Sequence, residues 1–283
     1  MKTWKVAGLT ILACAAGGAA LGALAVYRGW YDVSATGSHT APVHDLLDVA
    51  QTRSVQRRAA RIEVPSLDDA NRIRNGQELY RTHCAQCHGA PGIAPEPYAL
   101  GLNPAPAALV ATARDRPAAD IFWIIRQGIK MTGMPAWRYR LKDEEIWDVV
   151  AFMRILPALS PDSYRQEAGG AAAPLPDAAA PTEEDRRLGD AAAGRDALQQ
   201  YLCATCHVIP GVAGAKHHVG PTLAGIAERP YIAGTLPNTP ANLQRWLREP
   251  GSIKPGSAMP DLGLSGQDAR DIAAFLYTLP PAD

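Results

Sequence analysis

The feature that most constrains this 283-residue chain is a pentapeptide that occurs twice. Cys84-Ala85-Gln86-Cys87-His88 and Cys203-Ala204-Thr205-Cys206-His207 share one spacing and hold four of the five cysteines, which leaves Cys14 alone. Cys-x-x-Cys-His is the attachment signal for c-type haem. Each thiol adds across a vinyl group, so two thioethers fix the porphyrin, and the adjacent histidine faces the iron and supplies an axial nitrogen. Zinc or thiol chemistry is the alternative for a lone Cys-x-x-Cys. Zinc needs further Cys or His ligands at suitable spacing, whereas these cysteines sit in two distant pairs. The expected cofactors are two covalent haem c groups, on Cys84, Cys87 and His88 and on Cys203, Cys206 and His207.

The motifs belong to longer copies of one plan. Gly76-Gln77-Glu78-Leu79-Tyr80 and Gly194-Arg195-Asp196-Ala197-Leu198 each read as a helix running into the cysteines. Downstream come Met134-Pro135 and Met259-Pro260, each followed by a helix that stops at a proline, Pro157 or Pro280. Ile146, Val149, Val150 and Met153 are spaced for one buried helix face, and Ile272, Phe275 and Leu276 for another. Ser265 with Asp268 is positioned to cap the second helix; Lys142 stands at the matching place in the first, where the cap must differ. A methionine thioether stabilises ferrous iron and raises its potential, which makes Met134 and Met259 the expected sixth ligands. Core packing is the commoner fate of methionine, and Met131 competes for the first site.

Between the copies, 160–185 is rich in Ala, Gly and Pro without apolar period and reads as an extended, mobile linker. The expected order is membrane anchor 1–28, stalk 29–65, first haem domain 66–160, linker 161–185 and second haem domain 186–283. From Val6 to Tyr27 no residue is charged, and lysines precede the run. Its 22 residues are long enough, at about 1.5 Å each, to span a hydrocarbon core of about 30 Å. That places the N-terminus inside and the bulk outside. A cleaved signal peptide has a shorter apolar region; a lipoprotein signal is the third reading, since Ile11-Leu12-Ala13-Cys14 loosely resembles a lipobox. In the stalk, Pro42 to Arg61 reads as a helix with Thr40 as cap. Val43, Leu46, Leu47 and Ala50 share a face, and Arg53, Arg57, Arg58 and Arg61 follow. Such a helix packs on the first haem domain, lies on anionic lipid or docks on a membrane partner.

Both copies resemble class I cytochromes c, over about 190 of the residues. Gly220-Pro221-Thr222-Leu223 is similar to the family's Gly-Pro-x-Leu segment. Leu243, Trp246, Pro250, Pro255-Gly256 and Met259 resemble its ligand loop. The resemblance implies an all-α fold, with two such domains in tandem behind one transmembrane helix. It also implies that the carbonyl of Pro221 accepts a hydrogen bond from the axial imidazole. In the first copy Ala107 of Pro106-Ala107-Ala108-Leu109 aligns in that place. More widely, the chain resembles membrane-bound di-haem cytochromes that accompany haem-copper terminal oxidases. The second domain is similar to cytochrome domains of oxidase subunit II, through 229–234 and 236–240. The first resembles small membrane cytochromes carrying 129–137.

The function this implies is electron relay, with no catalytic residue. A terminal oxidase is the expected acceptor, and a bc1-type complex, a soluble cytochrome or a dehydrogenase the donor. The expected location is the periplasmic side of a bacterial cytoplasmic membrane. A cytochrome subunit of a periplasmic dehydrogenase is an alternative, and a di-haem peroxidase another, though two Met-Pro loops leave no open iron position. Equal numbers of basic and acidic residues, 28 each, disfavour nucleic-acid binding. Arg126, Lys130, Arg138, Arg140 and Lys142 surround Met134 in sequence and are expected either to form a positive collar or to be a solvated loop.

Overall fold

The computed structural model describes residues 3–167 and 187–282. Most of the expected linker, 168–185, lies outside the described residues. The chain divides into two compact units, Met1–Ala35 and Thr36–Asp283. The first unit is helix α1, Thr3–Tyr27, long and apolar enough to cross a membrane, with none of its residues buried.

The second unit opens with α2 (Ala41–Ala59) and continues through α3 (Ala70–His83), α4 (Ala85–His88), α5 (Leu109–Asp115), α6 (Ala118–Gln127), α7 (Asp143–Ile155) and α8 (Pro161–Glu167). The second motif follows in α9 (Ala191–Gln200) and α10 (Cys203–Cys206), and then come α11 (Pro240–Arg248), α12 (Pro250–Ile253) and α13 (Gly266–Leu276). A two-residue hairpin, β1 (Tyr231–Ile232) antiparallel to β2 (Leu236–Pro237), is the one sheet among the described residues. This is an all-α architecture with two cores. The first gathers Tyr80, Phe122, Ile146, Trp147, Phe152 and Tyr164; the second Leu198, Leu243, Ile272, Phe275 and Leu276.

Each lobe is organised by a crossing of the helix before its cysteines with its last long helix, α3 on α7 and α9 on α13. One glycine makes each crossing close. A Cβ at Gly76 would overlap the carbonyl of Asp148, and a Cβ at Gly194 the carbonyl of Asp271. Aspartates start both helices: Asp69 accepts the N–H groups of Asn71 and Arg72 (both 2.9 Å), and Asp190 that of Ala192 (2.7 Å). Ser265 caps α13 through the N–H of Asp268 (3.0 Å). In the first lobe Glu145 reaches back instead to the N–H of Lys142 (2.7 Å).

Two expectations change, and one choice left open is narrowed. The first core does not end at residue 160: Ser160 accepts the N–H of Ser163, α8 follows, and Tyr164 is buried beside Phe152 (ring centroids 6.3 Å apart). The start of the expected linker is therefore part of the first lobe. Helix α2 packs on the first haem-motif body, as one of its three readings had it. It lies against α6, and the side chains it buries are Val55 and Ala59. Val43, Leu46 and Leu47, which do share a face, are on the exposed side. Lastly, the lobes touch. The N–H of Gly101 donates to the carbonyl of Gln200 (3.1 Å), Arg114 to the carbonyl of His218 (3.3 Å), and Lys216 pairs with Asp48 of α2 (2.8 Å).

Candidate functional site: two haem-attachment centres

Helix α3 runs through Cys84 into α4, so Cys84, Cys87 and His88 follow one another on nearly continuous helix. The second motif is reached through Leu202 in the left-handed region (φ 57°), after which Cys203–Cys206 form a single turn. Cys84 is buried and Cys203 half-buried, and desolvation pushes each thiol up to about 12. With nothing bound, such groups stay protonated at neutral pH and lack the low-pKa setting of a free reactive thiolate.

The imidazoles are held alike. His88 Nδ1 lies 2.8 Å from the carbonyl of Ala107, and His207 Nδ1 lies 2.7 Å from that of Pro221. A carbonyl can only accept, so Nδ1 carries the proton in both rings and Nε2 keeps its lone pair. Burial lowers the proton affinity of both histidines, opposed by these same carbonyl bonds. A neutral ring whose Nδ1–H is committed to a carbonyl leaves Nε2 as the nitrogen that suits a metal. At the second centre the backbone makes room for the ring: a Cβ at Gly220 would overlap the His207 imidazole.

The methionine loops also correspond. The N–H of Met134 donates to Thr132 Oγ1 (3.0 Å), and that of Met259 to Ser257 Oγ (3.2 Å). A hydroxyl two residues ahead of each methionine is a second repeated feature that the motif reading missed; Thr-x-Met and Ser-x-Met were there to be read. The carbonyl of Met134 accepts the N–H of Ile129 (3.2 Å), and a Cβ at Gly128 (φ 66°) would come within 2.7 Å of that carbonyl oxygen. Met134 and Met259 pack against the first and second cores. Met131, the competitor, has φ 62° and is 89% exposed.

The basic residues near Met134 form less of a collar than their spacing implies. Arg126 is paired with Asp143 (2.8 Å), and Arg138 bonds Gln127 and Tyr139 while lying 4.8 Å over the Tyr139 ring. Lys130, Arg140 and Lys142 are exposed. His83 packs against Trp137 (5.2 Å). The turn after the first motif approaches the loop that carries Met259: a Cβ at Gly92 would come within 3.3 Å of the Ser257 carbonyl.

Partly buried thiol pairs, imidazoles with Nδ1 tied to a carbonyl and loop-held thioethers make a donor set that fits covalent haem. Two cytochrome c domains in tandem are what this fold and these paired centres define. Comparison with known proteins gives the same result. Residues 71–153 match the family described as "Cytochrome C oxidase, cbb3-type, subunit III", and residues 191–280 match "Cytochrome c". Among curated proteins, the "Cytochrome c oxidase subunit 2" of Alkalihalophilus pseudofirmus is 36% identical over 87 residues, 30% of this chain and 25% of the relative. The protein of that name from Bacillus subtilis is 34% identical over 86 residues, 30% of this chain and 24% of the relative. The chain thus spans about a quarter of the length of these relatives. It carries two cytochrome c domains, whose work is electron transfer by covalently bound haem.

Proposed function

We propose that the chain is a membrane-anchored relay holding two six-coordinate haems, one per lobe, that passes electrons to a haem-copper terminal oxidase. Cys84 and Cys87 would bind the first haem by thioethers, with His88 and Met134 as the ligands of its iron. Cys203, Cys206, His207 and Met259 would do the same for the second. The observation that carries this is the pair of imidazole-to-carbonyl bonds, made in both lobes by unlike residues, Ala107 and Pro221.

When bound, haem supplies a reversible one-electron change at iron. The chain's residues set its terms. The carbonyl bonds hold each ring in one tautomer and orientation. The Thr132 and Ser257 hydroxyls fix the backbone at each methionine, and a thioether there favours the reduced state. With both a histidine and a methionine given to each iron, these residues would leave substrate no place on the metal, and the chemistry the group would supply is electron transfer. The contact between lobes supports transfer from one centre to the other within the chain. The oxidase as acceptor, and a bc1-type complex, soluble cytochrome or dehydrogenase as donor, rest on the resemblance and on the names of the relatives. Anchoring rests on α1.

A pyridine haemochrome assay on the purified chain tests the core of this reading. Two covalent haems per chain are expected. One haem, or haem released by acid-acetone, overturns it. Cys203→Ala with Cys206→Ala should leave one haem, on the first lobe. Oxygen uptake by membranes lacking the chain tests the acceptor: uptake unchanged by its loss removes the oxidase from the proposal.

A further inference from the structure

Helix α2 has one face committed and one bare. His44, Asp48, Thr52, Val55 and Ala59 fall on one side by helical spacing, and their burial is partial to complete. Asp48 reaches across to Lys216 from this side. The opposite side begins with Val43, Leu46 and Leu47, which are 39%, 69% and 50% exposed, with Val49 at its edge, 57% exposed. Two turns later it continues as Arg53, Arg57 and Arg58, all exposed, with Arg61 beyond the helix end. The acids of α2 do not interrupt it: Asp48 is on the inner side, and Asp45, to the flank, lies 3.6 Å from His44.

Apolar turns followed by an acid-free basic stretch match the boundary between acyl chains and anionic headgroups. Chain connectivity points the same way. Trp30 and Tyr31 lie within four residues of the end of α1, are 67% and 58% exposed, and are the residue types that settle at a membrane interface. Nine residues lie between Tyr31 and Ala41, so the ten steps of chain reach at most about 35 Å even when fully extended. We infer that the outward face of α2 lies on an anionic lipid surface. There Val43, Leu46 and Leu47 enter the interface, and Arg53, Arg57, Arg58 and Arg61 contact headgroup phosphates. Because α2 is packed on the first lobe, this contact fixes which side of that lobe meets the membrane. The inference rests on α1 being a membrane anchor.

The full-length haem-loaded chain is reconstituted in vesicles of phosphatidylcholine, with or without about one third phosphatidylglycerol. An environment-sensitive fluorophore is placed at Leu47→Cys and, as reference, at the exposed Tyr231→Cys. In anionic vesicles the label at 47 should shift to the blue, resist iodide and be quenched by shallow lipid-borne nitroxides, while the label at 231 stays iodide-accessible. Each arginine near an anionic surface is worth about fivefold in partitioning, so Arg53→Gln, Arg57→Gln and Arg58→Gln together should remove most of the difference between the two lipid mixtures. Haem content reports that these variants are folded. A chain that floats with vesicles while the label at 47 remains iodide-accessible overturns this inference alone. A chain that does not float overturns the anchor with it. Protection in native membranes but in neither vesicle overturns it in favour of a protein partner.

Discussion

The two lobes repeat a backbone frame more faithfully than a set of side chains. Both use an aspartate cap, a glycine at the helix crossing, an imidazole bonded to a carbonyl, and a hydroxyl bonded to the methionine N–H. Their fillings differ. The first core is aromatic, with Phe122 stacked on Trp147 at 4.1 Å and Tyr80 at 5.2 Å from Phe152. The second core is mainly aliphatic. Beside it, Arg229 bonds the carbonyls of Thr222 and Ala224, and Asn238 bonds those of Ile226 and Arg229 and accepts from Tyr277. Packing is interchangeable when volume and apolarity are kept. The points where backbone meets backbone or ring allow little exchange, and there the copies agree.

If that is so, the largest effects should come from the crossing glycines, and they should be alike in the two lobes. Gly76→Ala and Gly194→Ala each force a Cβ into a carbonyl of the facing helix. Overpacking of this kind costs about 1–3 kcal/mol, more where backbone must move. Gly266→Ala is the contrast. Its Cβ would meet only Arg270 Nη1 at 3.6 Å, so helix propensity should leave it neutral or stabilising by up to about 1 kcal/mol. Thermal unfolding of the haem-loaded chain measures all three. A lobe that tolerates alanine at its crossing would not share the frame.

The methionines come next. Met134→Ala and Met259→Ala should each remove about half of the weak sulfur-to-iron absorbance of the oxidised protein and lower one potential, since a thioether raises it. Met131→Ala should leave both signals intact, because that side chain is 89% exposed. The reverse result at 131 and 134 would show that the first lobe closes its site differently from the second.

Much of this frame was legible in the residues. The motif pairs, the Met-Pro loops, the two flanking helices and the carbonyl at Ala107 all follow from spacing and resemblance. Three things did not. Helical periodicity says that Val43, Leu46 and Leu47 share a face, but a covered face and a bare face have the same period. Which one is buried was decided by α6, many residues away, against Val55 and Ala59. The contact between lobes was hidden for another reason. Two of its acceptors are backbone carbonyls, of Gln200 and His218, and its side chains, Arg114 and the Lys216–Asp48 pair, are ordinary surface charges far apart in the chain, so no local pattern announces them. Helix α8 is hidden differently: it is one short segment ahead of an Ala/Pro-rich run, and a single aromatic side chain, Tyr164, gives it no apolar period.

The smallest effect is the sharpest test of what the lobes share, and it concerns Pro221. If the proline mattered for its ring, the first lobe, with Ala107 there, would lack something the second has. The structure has both carbonyls within 2.8 Å of an imidazole Nδ1, so the group in use is one that any residue provides. Pro221→Ala should therefore keep the haem, its low-spin spectrum and its sulfur-to-iron band. What it loses is the proline's restriction of the unfolded chain, worth about 0.4–1 kcal/mol. For a domain of this size that is a fall of roughly 2–6 °C in the unfolding temperature of the second lobe, with the first lobe unmoved. Loss of the band, or a spectrum with one high-spin haem, would mean that the ring itself positions His207. The two centres would then be held by different means despite matching distances.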